Sequence, residues 1–231
     1  VIGKKTGDEV LGEHVRAMGQ ELGLVHNALY NELSSLHARW VLYCQLFAKS
    51  PEQLALLNEV AGFLFHVLQN VMYENVILGL ARLTDPPCSV GKDNLTLCRL
   101  QDLILDASLR LEVEDLVQKA LAACQFARDW RNRRIAHNDL ALLLAASTDP
   151  LPGISRNDIE GALDAFRKVV NRLEQHYRGS TVAYEHVILG LGTGDSLISY
   201  LKKGVQAEYT WKQRLHESQS PPEDVAPEER V

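Results

Sequence analysis

The residues best equipped for chemistry in this chain sit together between positions 127 and 140, in the string ARDWRNRRIAHNDL. Arg128, Arg131, Arg133 and Arg134 stand there beside His137. An imidazole titrates at about pH 6.5 and so gives or takes a proton under ordinary conditions. A guanidinium stays charged and holds an anion in a planar fork of donors. The pairing is notable because the chain is acidic overall, with a formal charge of -6. Five acids against one arginine after residue 216 account for -4 of this and leave -2 on the body. That balance argues against broad nonspecific nucleic-acid binding but leaves room for a local cationic site.

A helix must deliver this cluster. Leu109, Val113, Leu116, Val117, Ala120, Leu121, Cys124 and Ala127 recur at helical spacing and lead straight into it. Cations near a helix C-terminus are favoured by the dipole, at roughly 0.3 to 1 kcal/mol each, so part of the enrichment requires no site. At about 100° per residue, Arg131 and His137 lie about 120° apart on a straight helix. Arg133 and His137, four residues apart, would be stacked neighbours. Arg131 can join His137 only if the helix end unwinds near Ile135 or if two chains bring their strings together.

The remainder reads as helical scaffold. Thr6 and Glu9 have the capping-box form. The apolar phase then runs from Val15 through Met18, Leu22, Val25, Leu29, Leu33 and Leu36 to Trp40, which predicts one long helix bent near Gly19 and Gly23. Ser50-Pro51-Glu52-Gln53 starts a second, which Thr84-Asp85-Pro86-Pro87 ends at about Leu83. About 33 residues at about 1.5 Å give about 50 Å, so two such helices, antiparallel, define a bundle. A short helix over 95–105, one leading to the arginines, one from the Ser155/Asp158 box to about Tyr177, and a last one from Leu197 to about Glu217 complete the set. A single domain over 1–216 and a disordered acidic, proline-containing tail over 217–231 are expected.

Apolar residues make up 46% and charged residues 23%, as in globular proteins. Gln69, Asn70, Glu74 and Asn75 interrupt the most apolar stretch, so no membrane span is expected. Cys44, Cys88, Cys98 and Cys124 show no CxxC pairing, and no basic-plus-apolar leader opens the chain; reduced thiols and a cytoplasmic setting are the expectation.

Other candidates have plainer readings. His66, Asn70 and Glu74 share a helical face, but without an independent ligand pattern they read as polar hydrogen bonding, and no metal or cofactor is expected. His26 with Tyr30 and His37 with Trp40 read as helix packing, and His186 has no spacing that suggests chemistry. GLGTGD at 190–195 lacks the lysine of a phosphate loop and reads as a linker. Arg82 and Asp85 read as an ion pair, or as a support beside the arginine cluster. Asp139 would orient His137 or cap the helix.

Arg131-Asn132-Arg133-Arg134-Ile135-Ala136-His137 resembles the signature of HEPN domains, an arginine with a polar neighbour followed after a short gap by a histidine. ARLTDP at 81–86, RRIAHND after it and GDSLISYLKKG at 194–204 are similar, in that order, to the AbiU-like abortive-infection branch of that superfamily. The resemblance covers most of residues 8–215. It implies an all-α HEPN-type bundle, commonly a homodimer with two motifs facing across a cleft. It also implies metal-independent cleavage of RNA in an antiphage or toxin–antitoxin setting. His137 would act as acid or base toward the ribose 2′-hydroxyl or the leaving 5′-oxygen, Arg131 as phosphate clamp and Asn132 as positioning donor. Arg128, Arg133 and Arg134 would extend an RNA-backbone surface, and Asp139, Arg82 and Asp85 would support the site. Other members of the superfamily bind RNA or nucleotides without turnover, or act as partners of an antitoxin or defence protein. A purely structural bundle would leave the arginines as surface charge and dipole complement.

Overall fold

The computed structural model describes residues 5–136, 140, 144, 151, 153–186, 190 and 192–219. Thr6 and Glu9 close their capping box and open α1, Gly7–Met18. The expected single long helix is two: at Gly19 the backbone turns to φ 83°, and α2 runs over Gln20–Phe47. Glycine alone takes that conformation without strain. The reversal folds α1 back along α2, and Gly23 is where they meet, since a Cβ there would lie 2.6 Å from the Cα of Val15. The apolar phase survives the reversal because both helices face the same core, which is why the sequence reads as one helix.

Ser50 caps α3, Pro51–Leu83, with its hydroxyl on the Gln53 amide, as expected. The helix is kinked at Ala61, whose φ of -160° and ψ of 62° are not helical. Its last third, including Val76, Ile77, Leu80, Ala81 and Leu83, is buried in the main core, while Val60, Phe63, Leu64, Val67, Leu68 and Val71 face outward. By length and composition alone α3 would also cross a bilayer, with a mean hydropathy of 1.3 over its most apolar window.

Thr84 ends α3 by returning its hydroxyl to the Ala81 carbonyl. The loop beyond it holds a two-residue hairpin that the sequence did not reveal, β1 (Cys88–Ser89) against β2 (Lys92–Asp93). Arg99 ties this loop down through the carbonyls of Pro87 and Asn94. Then come α4 (Arg99–Leu103), α5 (Ala107–Ala123, capped by Asp106) and α6 (Gln125–Trp130). The helix expected to reach the arginine cluster unbroken is therefore interrupted at Cys124.

After the cluster, Ser155 and Asp158 form the expected box at the start of α7, Arg156–Arg178, which Gly179 ends in the left-handed region. The last helix, α8, spans Gly194–Gln219 and so continues past the expected boundary at 217. Leu29, Leu33 and Leu36 of α2 pack with the last third of α3, with α5 and with the apolar face of α7. Leu46, Phe47, Leu57, Phe65 and Ile198 make a smaller cluster under α8. The expected all-α bundle is what forms, with α2 and α3 as its two long members.

Candidate functional site

Beyond Trp130 the backbone leaves the α-helix for a single π-turn, Arg131–Ile135, closed by the Ala136 amide on the Arg131 carbonyl at 2.8 Å. The helix is thus not straight as it nears Ile135, and such bulges in helices often sit at functional positions. The turn is held from below by packing. Trp130 meets the Tyr73 ring edge-on, with centroids 6.5 Å apart, and the Tyr73 hydroxyl donates to the Ile154 carbonyl. Ile135 packs against the main core.

Arg131 is anchored by two side chains. Its Nη1 donates to Asp85 Oδ1, and its Nε donates to Asn132 Oδ1 at 3.0 Å. The Arg131 and Asp85 side chains are 24% and 21% exposed, so the pair is shielded yet reachable. Among the described residues, Nη2 has no hydrogen-bond partner. The fork is thus oriented by its own neighbours, with Asn132 Oδ1 as one of its two acceptors.

The expected pairing of Arg82 with Asp85 is corrected, since the Asp85 carboxylate goes to Arg131. Arg82 is exposed and lines a cleft of about 410 Å³ with Glu32, Leu83, Asp85, Asn94 and Leu95. Glu32 is paired across its outer side with Arg39, which also reaches Asn75. Arg128 is tied to the scaffold: its Nη2 donates to the Leu121 carbonyl and to Gln125 Oε1, across the α5–α6 break. The break exposes carbonyls that a helix would have satisfied, and the nearest cation takes one. Arg134 lies over the Trp130 ring, 5.6 Å from its centroid, and Arg133 is half-buried. His137 and Asp139 lie outside the described residues, so the geometry of the candidate acid–base is not given. Cys124, beside the cluster, is buried in apolar surroundings that push its thiol up to about 12, which makes it core rather than nucleophile.

Sequence reasoning missed a second polar centre. His14, His26 and Glu174 are all fully buried, and one donor atom from each lies within 4.8 Å of the others. His14 Nε2 is 2.8 Å from Glu174 Oε1, while its Nδ1 meets Asn27 Oδ1 at 3.0 Å. The donor set suits a transition metal, but Arg178 sits 3.1 Å from the same carboxylate and already balances it, bonding Glu13 as well. The cluster accounts for itself as a clasp of α1 and α2 onto α7. His26 was read as packing against Tyr30; it is an ionic-network member, and its spacing from His14 across a chain reversal concealed that. His66 bonds only Asn70, at 3.2 Å on an exposed face.

With this geometry in hand, one comparison decides the family. The AbiU2 family of HEPN domains matches residues 19–189. The chain belongs to the AbiU2 HEPN family. No curated protein and no solved structure matches it. The matched span includes α2 through α7 and the arginine cluster; α1 and α8 flank it. Membership makes this an abortive-infection-type module, and the pre-oriented Arg131 is the feature on which a more specific reading turns.

Proposed function

We propose that this AbiU2 HEPN protein is a metal-independent endoribonuclease of a phage-defence or toxin–antitoxin system, with His137 and Arg131 as its reacting pair. What carries the reading is Arg131, fixed on Asp85 at a π-turn and followed six residues later by the motif histidine. His137 takes the proton of a ribose 2′-hydroxyl or supplies one to the leaving 5′-oxygen. Arg131 meets the phosphate oxygens as negative charge grows on them, and its fixed pose spares reorganisation at that moment. Products are a 2′,3′-cyclic phosphate and a 5′-hydroxyl.

The working unit in this reading is a homodimer. Beyond the kink at Ala61, Leu64, Val67 and Val71 recur at spacings of three and four along α3, flanked by Phe63 and Leu68, and Val60 stands just before the kink, all exposed. That is the spacing with which two helices interlock, and it carries no charge that would suit RNA. The same helical stripe continues through Asn75 and Leu78 to Arg82, three residues before the carboxylate that holds Arg131. A second copy seated toward that end sets its own motif beside the first.

The test is incubation of purified protein with single-stranded and structured RNA in EDTA. Cleavage with cyclic-phosphate ends is expected, reduced about a hundredfold or more by His137→Ala and by Arg131→Ala. Cleavage that survives His137→Ala sinks the assignment. A second reading, an RNA- or nucleotide-binding module without turnover that serves a defence partner, draws support from the charge of Arg131 being already balanced by Asp85. Salt-sensitive binding without products selects it.

A further inference from the structure

Helix α8 carries an exposed surface that the arginine cluster does not explain. Its inner side, with Ile198 and Leu201, packs on α2 and α3, and Tyr209 donates to Glu59. At about 100° per residue, Tyr200, Lys203, Thr210, Trp211 and Arg214 fall on the opposite side, while Lys202 starts from the flank toward Tyr209 and reaches the same groove by its long side chain. Lys202, Lys203, Thr210, Trp211 and Arg214 border one open groove of about 550 Å³. Tyr200 is 69% and Trp211 60% exposed, an unusual state for large aromatic side chains. Lys203 lies over the Tyr200 ring at 5.8 Å. The one acid between Tyr200 and Arg214 is Glu208, which turns to the other side of the helix and pairs with Lys212.

We infer that this face of α8 is a docking surface for single-stranded RNA, separate from the Arg131 site and feeding it. Single-stranded nucleic acid is held by cations that follow its phosphates and by aromatic rings on which unpaired bases stack. The face offers both in alternation: Lys202, Lys203 and Arg214 for phosphates, Tyr200 and Trp211 for bases about 17 Å apart along the helix. Cations grouped on one side in a chain of charge -6 concentrate a polyanion at this place rather than over the whole surface. A duplex would keep its bases stacked inside and leave the two rings unused. The face lies beyond residues 19–189, and so outside the span that holds the arginine motif. The inference rests on the RNA reading above and names the strand class it takes.

The test uses the full chain and two fluorescein-labelled twelve-residue oligoadenylates, one of RNA and one of 2′-deoxyadenosine, which has no 2′-hydroxyl and reports binding without turnover. Anisotropy should show binding whose log–log salt slope is about -2, as three phosphate contacts on a single strand give. Trp211→Ala should weaken binding about fivefold or more. Lys203→Glu with Arg214→Glu should abolish it, while the charge-matched Lys119→Glu with Lys168→Glu, on exposed α5 and α7 positions, should not. Circular dichroism checks that each variant folds. Equal losses from both charge-reversal pairs overturn the inference, as does a preference for duplex. Binding to phosphatidylserine vesicles in place of oligonucleotide, or a Trp211→Ala change in oligomeric state with RNA affinity intact, overturns it too. If RNA is captured by α8 and left uncut, the nuclease reading fails and this one stands; if cleavage proceeds unchanged in the α8 variants, the reverse holds.

Discussion

At the residue scale, the pair Arg131–Asp85 sets the strongest expectation. A guanidinium that waits in a fixed pose acts by geometry as much as by charge, and small displacements of a reacting group cost rate steeply. Asp85→Ala removes the anchor and also a carboxylate near the incoming phosphate. The single-turnover cleavage rate should therefore fall roughly tenfold or more, while affinity for an uncleavable strand holds or rises. An equal loss in both quantities would mean that Asp85 merely supports the fold. The motif's residues were legible in the sequence because their types and order are distinctive. The anchor was misassigned to Arg82 because spacing of three along a helix suggests a local pair, whereas the chain comes back 46 residues later to supply the true partner. Buried histidines supply a second expectation. His26 is held down at about 4 by burial and by His14, and His37 at about 4 by burial and by Arg167. Both stay neutral in the fold while the unfolded chain takes up protons near pH 6.5. Glu174 is pulled up by burial, but His14, His26 and Arg178 outweigh this and hold it low. Stability is thus full above about pH 6.5 and falls as pH drops toward 4, with the Glu174 contribution lost further into acid. Urea midpoints at stepped pH read this, and His37→Asn should flatten the upper part of the decline.

At the element scale, the reversal at Gly19 and the clasp behind it make α1 a working part of the bundle. Sequence phase gave the helix and its cap but could not show the reversal, because Gly19 and Gly23 look like tolerated interruptions until two backbones are seen to touch. Gly23→Ala forces the α1 and α2 backbones apart and should cost about 1 to 3 kcal/mol. Gly12→Ala, which adds a Cβ in open space, should cost nothing measurable or help slightly. Glu174→Ala leaves His14 and Arg178 without their shared acceptor and should cost roughly 3 to 5 kcal/mol. If α1 can be removed without loss of melting temperature, the clasp has no structural importance. The break at Cys124 and the π-turn at Arg131 were also hidden from periodicity, since the apolar stripe runs through the first and the cations mask the second. Both matter to the site, because they turn the arginines away from a straight helical surface and draw Arg128 Nη2 onto the Leu121 carbonyl.

At the scale of the whole molecule, the outward face of α3 groups six exposed large apolar side chains within about three turns of helix, with Phe63 at 84% exposure. Six large apolar side chains in water on so short a stretch mark a surface that meets another one. Against a second copy the stripe is self-complementary, as a two-fold interface requires. The intact protein should therefore scatter light as twice its 25.8 kDa at micromolar concentration. Phe63→Glu with Val67→Glu should return it to one chain's mass without unfolding it, since neither side chain belongs to a buried cluster. The same variant separates two consequences. If cleavage falls with the dimer, the Arg131 of one copy serves the histidine of the other, and the angle of about 120° between them on a straight helix was a true obstacle for a lone chain. If cleavage persists in the monomer, the π-turn alone brings the pair together. An intact protein that scatters as one chain and binds bilayers through Phe63 would instead assign the stripe to a membrane, and the shared-cleft mechanism would have to be abandoned.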